Sequence, residues 1–250
     1  MSAKVVEDLY RKMDDLVGRV AGGLGGRSAL FVMSDHGFKS FRRGVNLNSW
    51  FLRNGYLSLV PGQASSGEWF KDVDWTRTKA YALGLGGVYL NLRGREAQGI
   101  VAPGEEASAL KAELASKITA IKDGPNGPAP VARVYDRDAV YSGPYKDNAP
   151  DLIIGYSEGY RASWDGVTGI VNDVVLEDNV KAWSGDHCID PALVPGVLFS
   201  SLKLRTDRPS IMDLAPTVLE LFGIAPPTHM DGRGLVDAAR TGGPDKAGTS

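Results

Sequence analysis

Between residues 3 and 22, apolar side chains recur at helical spacing: Val5, Val6, Leu9, Met13, Leu16, Val17 and Val20, with Lys, Arg, Asp and Glu between them. The pattern predicts an amphipathic helix over 3–22, ended by Gly22, Gly23, Gly25 and Gly26. The run Arg27–Ser34 (RSALFVMS) is apolar without alternation, which predicts a strand covered on both faces, as in a parallel sheet under helices. Helix, glycine-rich turn and buried strand make half of an α/β unit. The chain is therefore expected to open in mid-fold, with no strand ahead of its first helix.

Further along, a short helix is predicted over Asn46–Arg53, ended by Asn54-Gly55, and residues 61–77 are polar and irregular. Lys79–Leu83 and Val88–Leu92 predict two strands joined through Gly84, Gly86 and Gly87. Glu105–Ile121 reads as a second clear helix with Leu110, Leu114, Ile118 and Ile121 on its buried face. A turn-rich loop, DGPNGPAP (123–130), follows, and Asp151–Ile154 and Gly196–Phe199 predict short apolar strands. Ser210 and Asp213 fit the capping box of a last helix that buries Ile211, Leu214, Val218, Leu221 and Phe222. Gly223 and Pro226-Pro227 stop it, and Pro216 is expected to kink its first turn or mark its true start. From about Ala239 the sequence has too few apolar residues to pack. The domain is expected over 1–236, with a disordered tail over 237–250.

Charge and composition narrow the function classes. Lys plus Arg is 28 and Asp plus Glu is 30 in 250 residues, a net charge of −2 that gives no footprint for nucleic acid or anionic lipid. No run approaches the ~20 apolar residues of a membrane span. The single cysteine, Cys188, excludes an intrachain disulfide and a multi-cysteine zinc or iron–sulfur site. The start, MSAKVVEDLYRKMDD, carries acids where a signal peptide needs an apolar stretch, so a cytoplasmic location is expected.

The sharpest candidate chemistry is Ser34-Asp35-His36-Gly37, directly after a predicted strand. Ligands of α/β sheets bind beyond the carboxyl ends of strands, and an oxygen donor beside an imidazole suits zinc or manganese. Alone, the pair is better read as a turn-capping Asp and a backbone-satisfied His. Trp183-Ser184-Gly185-Asp186-His187-Cys188 changes that weighting: two of the chain's three histidines stand in acidic, glycine-containing loops beside strands. His229, in PPTHMDG, is expected on the surface. Lys39, Arg42 and Arg43 fit a phosphate or a solvated loop equally well. Gly155-Tyr156-Ser157-Glu158-Gly159 matches the G-x-S-x-G elbow of serine hydrolases, with Asp178 or Asp186 and then His187 in the right order. That elbow requires a helix after the serine, whereas Tyr160, Ala162 and Trp164 alternate as in a strand. Gly23-Leu24-Gly25-Gly26 stands in the reverse order for a dinucleotide turn, and Asp72-Val73-Asp74 lacks the rest of an EF-hand loop.

In order, Ser34-Asp35-His36-Gly37, Gly185-Asp186-His187 and Asp213–Gly223 (DLAPTVLELFG) with Asp231-Gly232 resemble the alkaline phosphatase superfamily. Its members include phosphodiesterases, nucleotide pyrophosphatases, sulfatases and cofactor-independent phosphoglycerate mutases. The stretches 38–48 and 78–84 look like its predicted phosphohydrolase or phosphomutase branch, and the resemblance spans roughly residues 4–236. It implies an α/β fold: a three-layer α/β/α sandwich with a mostly parallel sheet and an inserted α+β region at about 56–180 that shapes substrate choice. It also implies two divalent metal ions, zinc first and manganese second, flanking a Ser or Thr nucleophile. Asp35 and His36 match the ligands of one ion and His187 a ligand of the other. Lys39, Arg42 and Arg43 then become candidate contacts for the phosphate of a small ester substrate.

One departure qualifies this. The family's nucleophile, the Asp beside it and a further Asp/His ligand pair lie upstream of the Asp-His-Gly strand, and none of the 34 residues before Asp35 matches them. Two zinc ions need about six protein ligands, and only Asp35, His36 and His187 are convincing. The chain is thus expected to be the C-terminal portion of a metal-dependent phosphohydrolase, inactive alone. Its exposed sheet edge is expected to meet a homo-oligomer or an N-terminal partner chain. The alternatives are a non-catalytic remnant or subunit completed by a partner and, more distantly, a serine hydrolase using Ser157. Thr76 and Thr78 have no context that supports a nucleophile.

Overall fold

The computed structural model describes residues 4–237. In chain order its first elements are α1 (Lys4–Gly23), β1 (Phe31–Ser34), β2 (Lys39–Val45), α2 (Leu47–Arg53), β3 (Ala80–Leu83), β4 (Gly87–Leu90), α3 (Glu105–Thr119) and β5 (Val131–Asp136). There follow α4 (Arg137–Val140), β6 (Leu152–Tyr156), β7 (Gly159–Ala162), α5 (Trp164–Val167), β8 (Leu176–Asp178), β9 (Gly185–Asp186), β10 (Val197–Ser200) and α6 (Leu214–Leu221). Two compact units result: His36–Pro195 is one, and the described residues up to Asp35 together with those from Gly196 onward are the other. No helix among the described residues is long and apolar enough to cross a membrane.

The His36–Pro195 unit holds the main core. Its four-stranded sheet has the order β3-β4-β6-β5. α3 packs beside β5 and buries Ala107, Leu110, Leu114 and Ile118, the face its periodicity predicts. β3 and β4 form the hairpin expected from the glycines between them, with Gly84 at φ +74°, a value that disfavours any side chain. α2 is capped by Asn46, whose side-chain oxygen accepts from the amides of Asn48 and Ser49. Asn48 then ties the helix to β3: its Nδ2 donates to the Ala82 carbonyl at 2.8 Å and its Oδ1 accepts from the Ala82 amide at 2.7 Å. A second sheet is centred on β2, flanked by β7 and β8, with β9 pairing near the start of β2.

The expectation of a mostly parallel sheet does not describe these residues. Among the described strands β2–β7 is the one parallel ladder, and the ladders β1–β10, β2–β8, β2–β9, β3–β4, β4–β6 and β5–β6 are antiparallel. The local reason is connectivity. A tight glycine turn, as between β3 and β4, can only return the chain antiparallel, whereas a parallel neighbour needs a crossover. The strand predicted over Arg27–Ser34 is also not covered on both faces: β1 pairs with β10, and Met33, Val197 and Phe199 are exposed.

In the other unit, apolar periodicity and burial part company. α1 lies within one residue of the predicted limits and carries a stripe of apolar residues, yet none of its side chains is buried, and Val5, Leu9, Met13, Leu16 and Val20 face solvent. α6 begins at Leu214 with Pro216 in its first turn, but the buried residues are Pro216 and Thr217, while Val218 and Phe222 are exposed. A periodic stripe states which face gains from burial and not whether a covering element exists.

The Asp213 motif is a structural knot. Its carboxylate accepts from the amides of Ser210 and Arg233, each at 2.9 Å, which completes the predicted capping box and pins the following segment. Thr217 continues it, with its hydroxyl donating to the Asp213 carbonyl and accepting from the Leu235 amide at 2.9 Å. The tail expected from about Ala239 lies outside the described residues.

Candidate functional site

The register of β2 against β9 assembles the site. Lys39 lies opposite Asp186 and Ser40 opposite Gly185, so His36, just before β2, and His187, just after β9, stand at the same end of the ladder. Gly37 holds the entry in place. Its amide donates to the Val194 carbonyl at 3.0 Å, and a Cβ there would stand 3.1 Å from the Pro195 carbonyl oxygen.

The consequence is ring contact between side chains 151 positions apart, counted as 187 − 36. The imidazoles of His36 and His187 stack with centroids 3.8 Å apart and planes 5° from parallel. Nδ1 of His36 lies 2.8 Å from the Gly37 carbonyl oxygen. In the neutral tautomer that fits this contact, Nδ1–H donates and Nε2 carries the lone pair. Asp35, next to His36 in sequence, is exposed and ends the first segment of the other unit.

Behind His187 stands a buried ion pair. Asp186 Oδ1 accepts from the amides of His187 at 2.7 Å and Cys188 at 3.0 Å, while Oδ2 meets Nη1 of Arg161 at 2.7 Å. The side chains of Arg161 and Asp186 are only 3% and 6% exposed. Burial opposes the Asp186 charge, but the two amides and the Arg161 guanidinium outweigh it and hold the carboxyl below its ordinary range. Arg161 is itself fixed: its guanidinium lies 4.1 Å from the Trp164 ring centroid and 5.2 Å from that of Phe41, and Nε donates to the Ala162 carbonyl.

Ligand atoms of Asp186, His187 and Cys188 fall within 4.8 Å of one another. Their chemistry separates them. Both Asp186 oxygens are already engaged, and burial and then the Asp186 charge push the Cys188 thiol up to about 11, so it is protonated at neutral pH. The His187 imidazole, half exposed, is the donor of this trio that faces outward.

The other predicted residues fall as follows. Lys39 pairs with Glu158 at 3.1 Å. Arg42 is exposed, and its carbonyl accepts from the Asn179 amide. Arg43 is held by Asp123 and, at 3.0 Å, by Asp178, so its charge is already spent in the framework. His229 is exposed, as expected. Ser157 leads through Gly159 into β7 and not into a helix, so the hydrolase elbow is not built. The Thr76 and Thr78 hydroxyls bond within the turn at Asp74. Arg161 was not singled out by sequence, because an Arg inside an alternating strand segment carries no local signal of an ionic partner 25 residues away, counted as 186 − 161.

The model of the type I phosphodiesterase/nucleotide pyrophosphatase family matches residues 2–166, well over half of the chain. The chain belongs to this family. The matched stretch contains Asp35, His36 and Arg161 and ends before Asp186 and His187. Membership assigns the chain to phosphoester-hydrolysing proteins and is consistent with the alkaline phosphatase superfamily. No curated protein and no solved structure matches the chain.

Proposed function

We propose that the chain is a metal-dependent phosphohydrolase of phosphodiesterase, phosphatase or phosphomutase type, in which Asp35 and His36 hold one divalent ion and His187 a second. The stacked pair of imidazoles carries this reading. A ring nitrogen binds an ion in the plane of its ring, so two parallel rings direct their lone pairs in separate planes that do not converge on one point. The ring separation of 3.8 Å is also the spacing of dinuclear phosphoryl-transfer sites, ~3.5–4 Å. Imidazole nitrogen with a carboxylate is a donor set that suits zinc and, second, manganese.

Ions bound there would polarise a phosphoryl oxygen and stabilise the entering and leaving oxygens of an in-line displacement. The chain's own residues prepare the site. The Gly37 carbonyl holds a proton on Nδ1 of His36 and so directs its lone pair to Nε2. The β2–β9 ladder fixes where both rings emerge. Arg42 offers charge to a phosphate ester, whereas Lys39 could do so only by leaving Glu158, and Arg43 only by leaving Asp123 and Asp178.

The same reading holds that these residues do not turn over substrate alone, since no Ser or Thr here stands in a nucleophile's context. A covering segment or partner would complete both the ligands and the three-layer sandwich, in the cytoplasm. The bare apolar stripe of α1 supports this completion, and it equally supports a second reading, a non-catalytic subunit joined to a partner. Metal analysis of purified protein tests the first. Bound zinc or manganese that falls with His36→Ala and with His187→Ala is the expected result; metal-free protein indifferent to both changes rules it out.

A further inference from the structure

We infer that Arg161 is a positioning residue: through its buried ion pair with Asp186 it sets the His187 imidazole in place, and with it the metal ligand of the proposed site. Asp186 connects the two. One carboxylate oxygen takes the amide protons of His187 and Cys188, which fixes the backbone on which the imidazole hangs. The other takes the Arg161 guanidinium at 2.7 Å. A carboxylate so shared cannot rotate without breaking a charged bond or two amide bonds, and bonds to ionised groups are about twice as strong as neutral ones.

Arg161 is in turn immobile. It leans on the Trp164 and Phe41 rings and is tied by Nε to the strand it stands on, β7, the parallel neighbour of β2. The direction of His187 thus follows from a side chain on β7, and that of His36 from the loop leading into β2. Two sequence-distant parts of one sheet therefore meet in the ring stack. Neither Arg161 nor Asp186 reaches outward as a ligand, because both are more than nine-tenths buried and bonded to each other. Partners that orient a ligand from behind it commonly govern its affinity for metal by about 10–100-fold.

The inference rests on the metal reading above, so the experiment separates the two. With three histidines in the chain, the imidazole proton resonances are few enough to assign by substitution. In the metal-free protein, the stack should displace the His187 ring signals from those of exposed His229. Arg161→Met alone strands a buried carboxylate, so Arg161→Met with Asp186→Asn, which removes both charges and keeps an oxygen for the two amides, is measured beside it, as is Arg161→Lys. The expected result is loss of the displaced His187 signals in the double variant, about 10–100-fold weaker zinc binding by titration, and partial recovery of both in Arg161→Lys. Unmoved His187 signals and unchanged zinc affinity in the double variant would overturn the positioning role. Wild-type protein that shows the displaced signals but no response to zinc would instead overturn the metal reading, and the orienting of His187 by Arg161 would then be decided by the His187 signals of the double variant alone.

Discussion

Lys39 and Asp186 stand opposite each other across the β2–β9 ladder, and that single register decides where His36 and His187 emerge. The backbone around it has little slack, which gives a first prediction. Gly37→Val would drive side-chain atoms toward the Pro195 and Val194 backbone, where a Cβ already stands 3.1 Å from an oxygen. Overpacking of this kind typically costs about 1–3 kcal/mol. The expected outcome is a lower denaturation midpoint together with loss of the His36–His187 ring contact by NMR. An unchanged contact would show that the register does not depend on the turn.

Asn48 is a test of the core away from the site. It exchanges two hydrogen bonds with Ala82, so Asn48→Leu leaves a buried amide and carbonyl without partners, each costing about 1–3 kcal/mol. Urea denaturation should register a loss of about 2–4 kcal/mol. The imidazole spectrum of the folded variant should remain that of the wild type.

Cys188 supplies a prediction in pH. Its thiol is pushed up to about 11, and alkylation requires the thiolate. Reaction with iodoacetamide at pH 8 should therefore run on the order of 100-fold slower than for an exposed thiol, and climb toward pH 11. Asp186→Asn removes a neighbouring negative charge and should speed it. Rapid labelling of native wild type at pH 8 would contradict the raised thiol.

Acid should find a second weak point. Amide hydrogen bonds from Arg233 and Ser210 hold the Asp213 carboxyl below its ordinary range. A lowered folded pKa means that this stability is present above the unfolded value near ~3.9 and is lost as pH falls through the lower folded one. Asp213→Ala removes cap and pin together and should cost about 1–2 kcal/mol near neutral pH, with a smaller penalty below pH ~3. A penalty equal at both pH values would mean that charge plays no part in the knot.

The exposed stripe on α1 predicts association. Light scattering of the isolated chain should report oligomers that disperse when Leu9→Glu and Met13→Glu are introduced together. A monomer unchanged by both would remove the support that α1 lends to a covering partner.

Elements governed by short-range signals were legible in the sequence. Asn46 and Asn54-Gly55 bounded α2, the glycines at 84–87 gave the β3–β4 hairpin, and Ser210 with Asp213 gave the cap before α6. The residues brought into ring contact, His36 and His187, were singled out from local composition and from family resemblance, because spacing alone could not join them. What escaped prediction was relational. Sheet direction depends on which strands find each other, and the burial of α1 and α6 depends on what lies over them. The Arg161–Asp186 pair depends on two strands meeting a third. None of these is written in a window of ten residues.

The β2–β9 ladder also acts as a clasp at the root of a long excursion, since everything between His36 and His187 departs and returns through it. A loop closed at its base pays for extra length only logarithmically, about 0.6 kcal/mol per doubling. Residues can thus be added to the exposed loops beyond the clasp at small thermodynamic expense, while the packed sheet and α3 tolerate no such change, and the two rings keep their address.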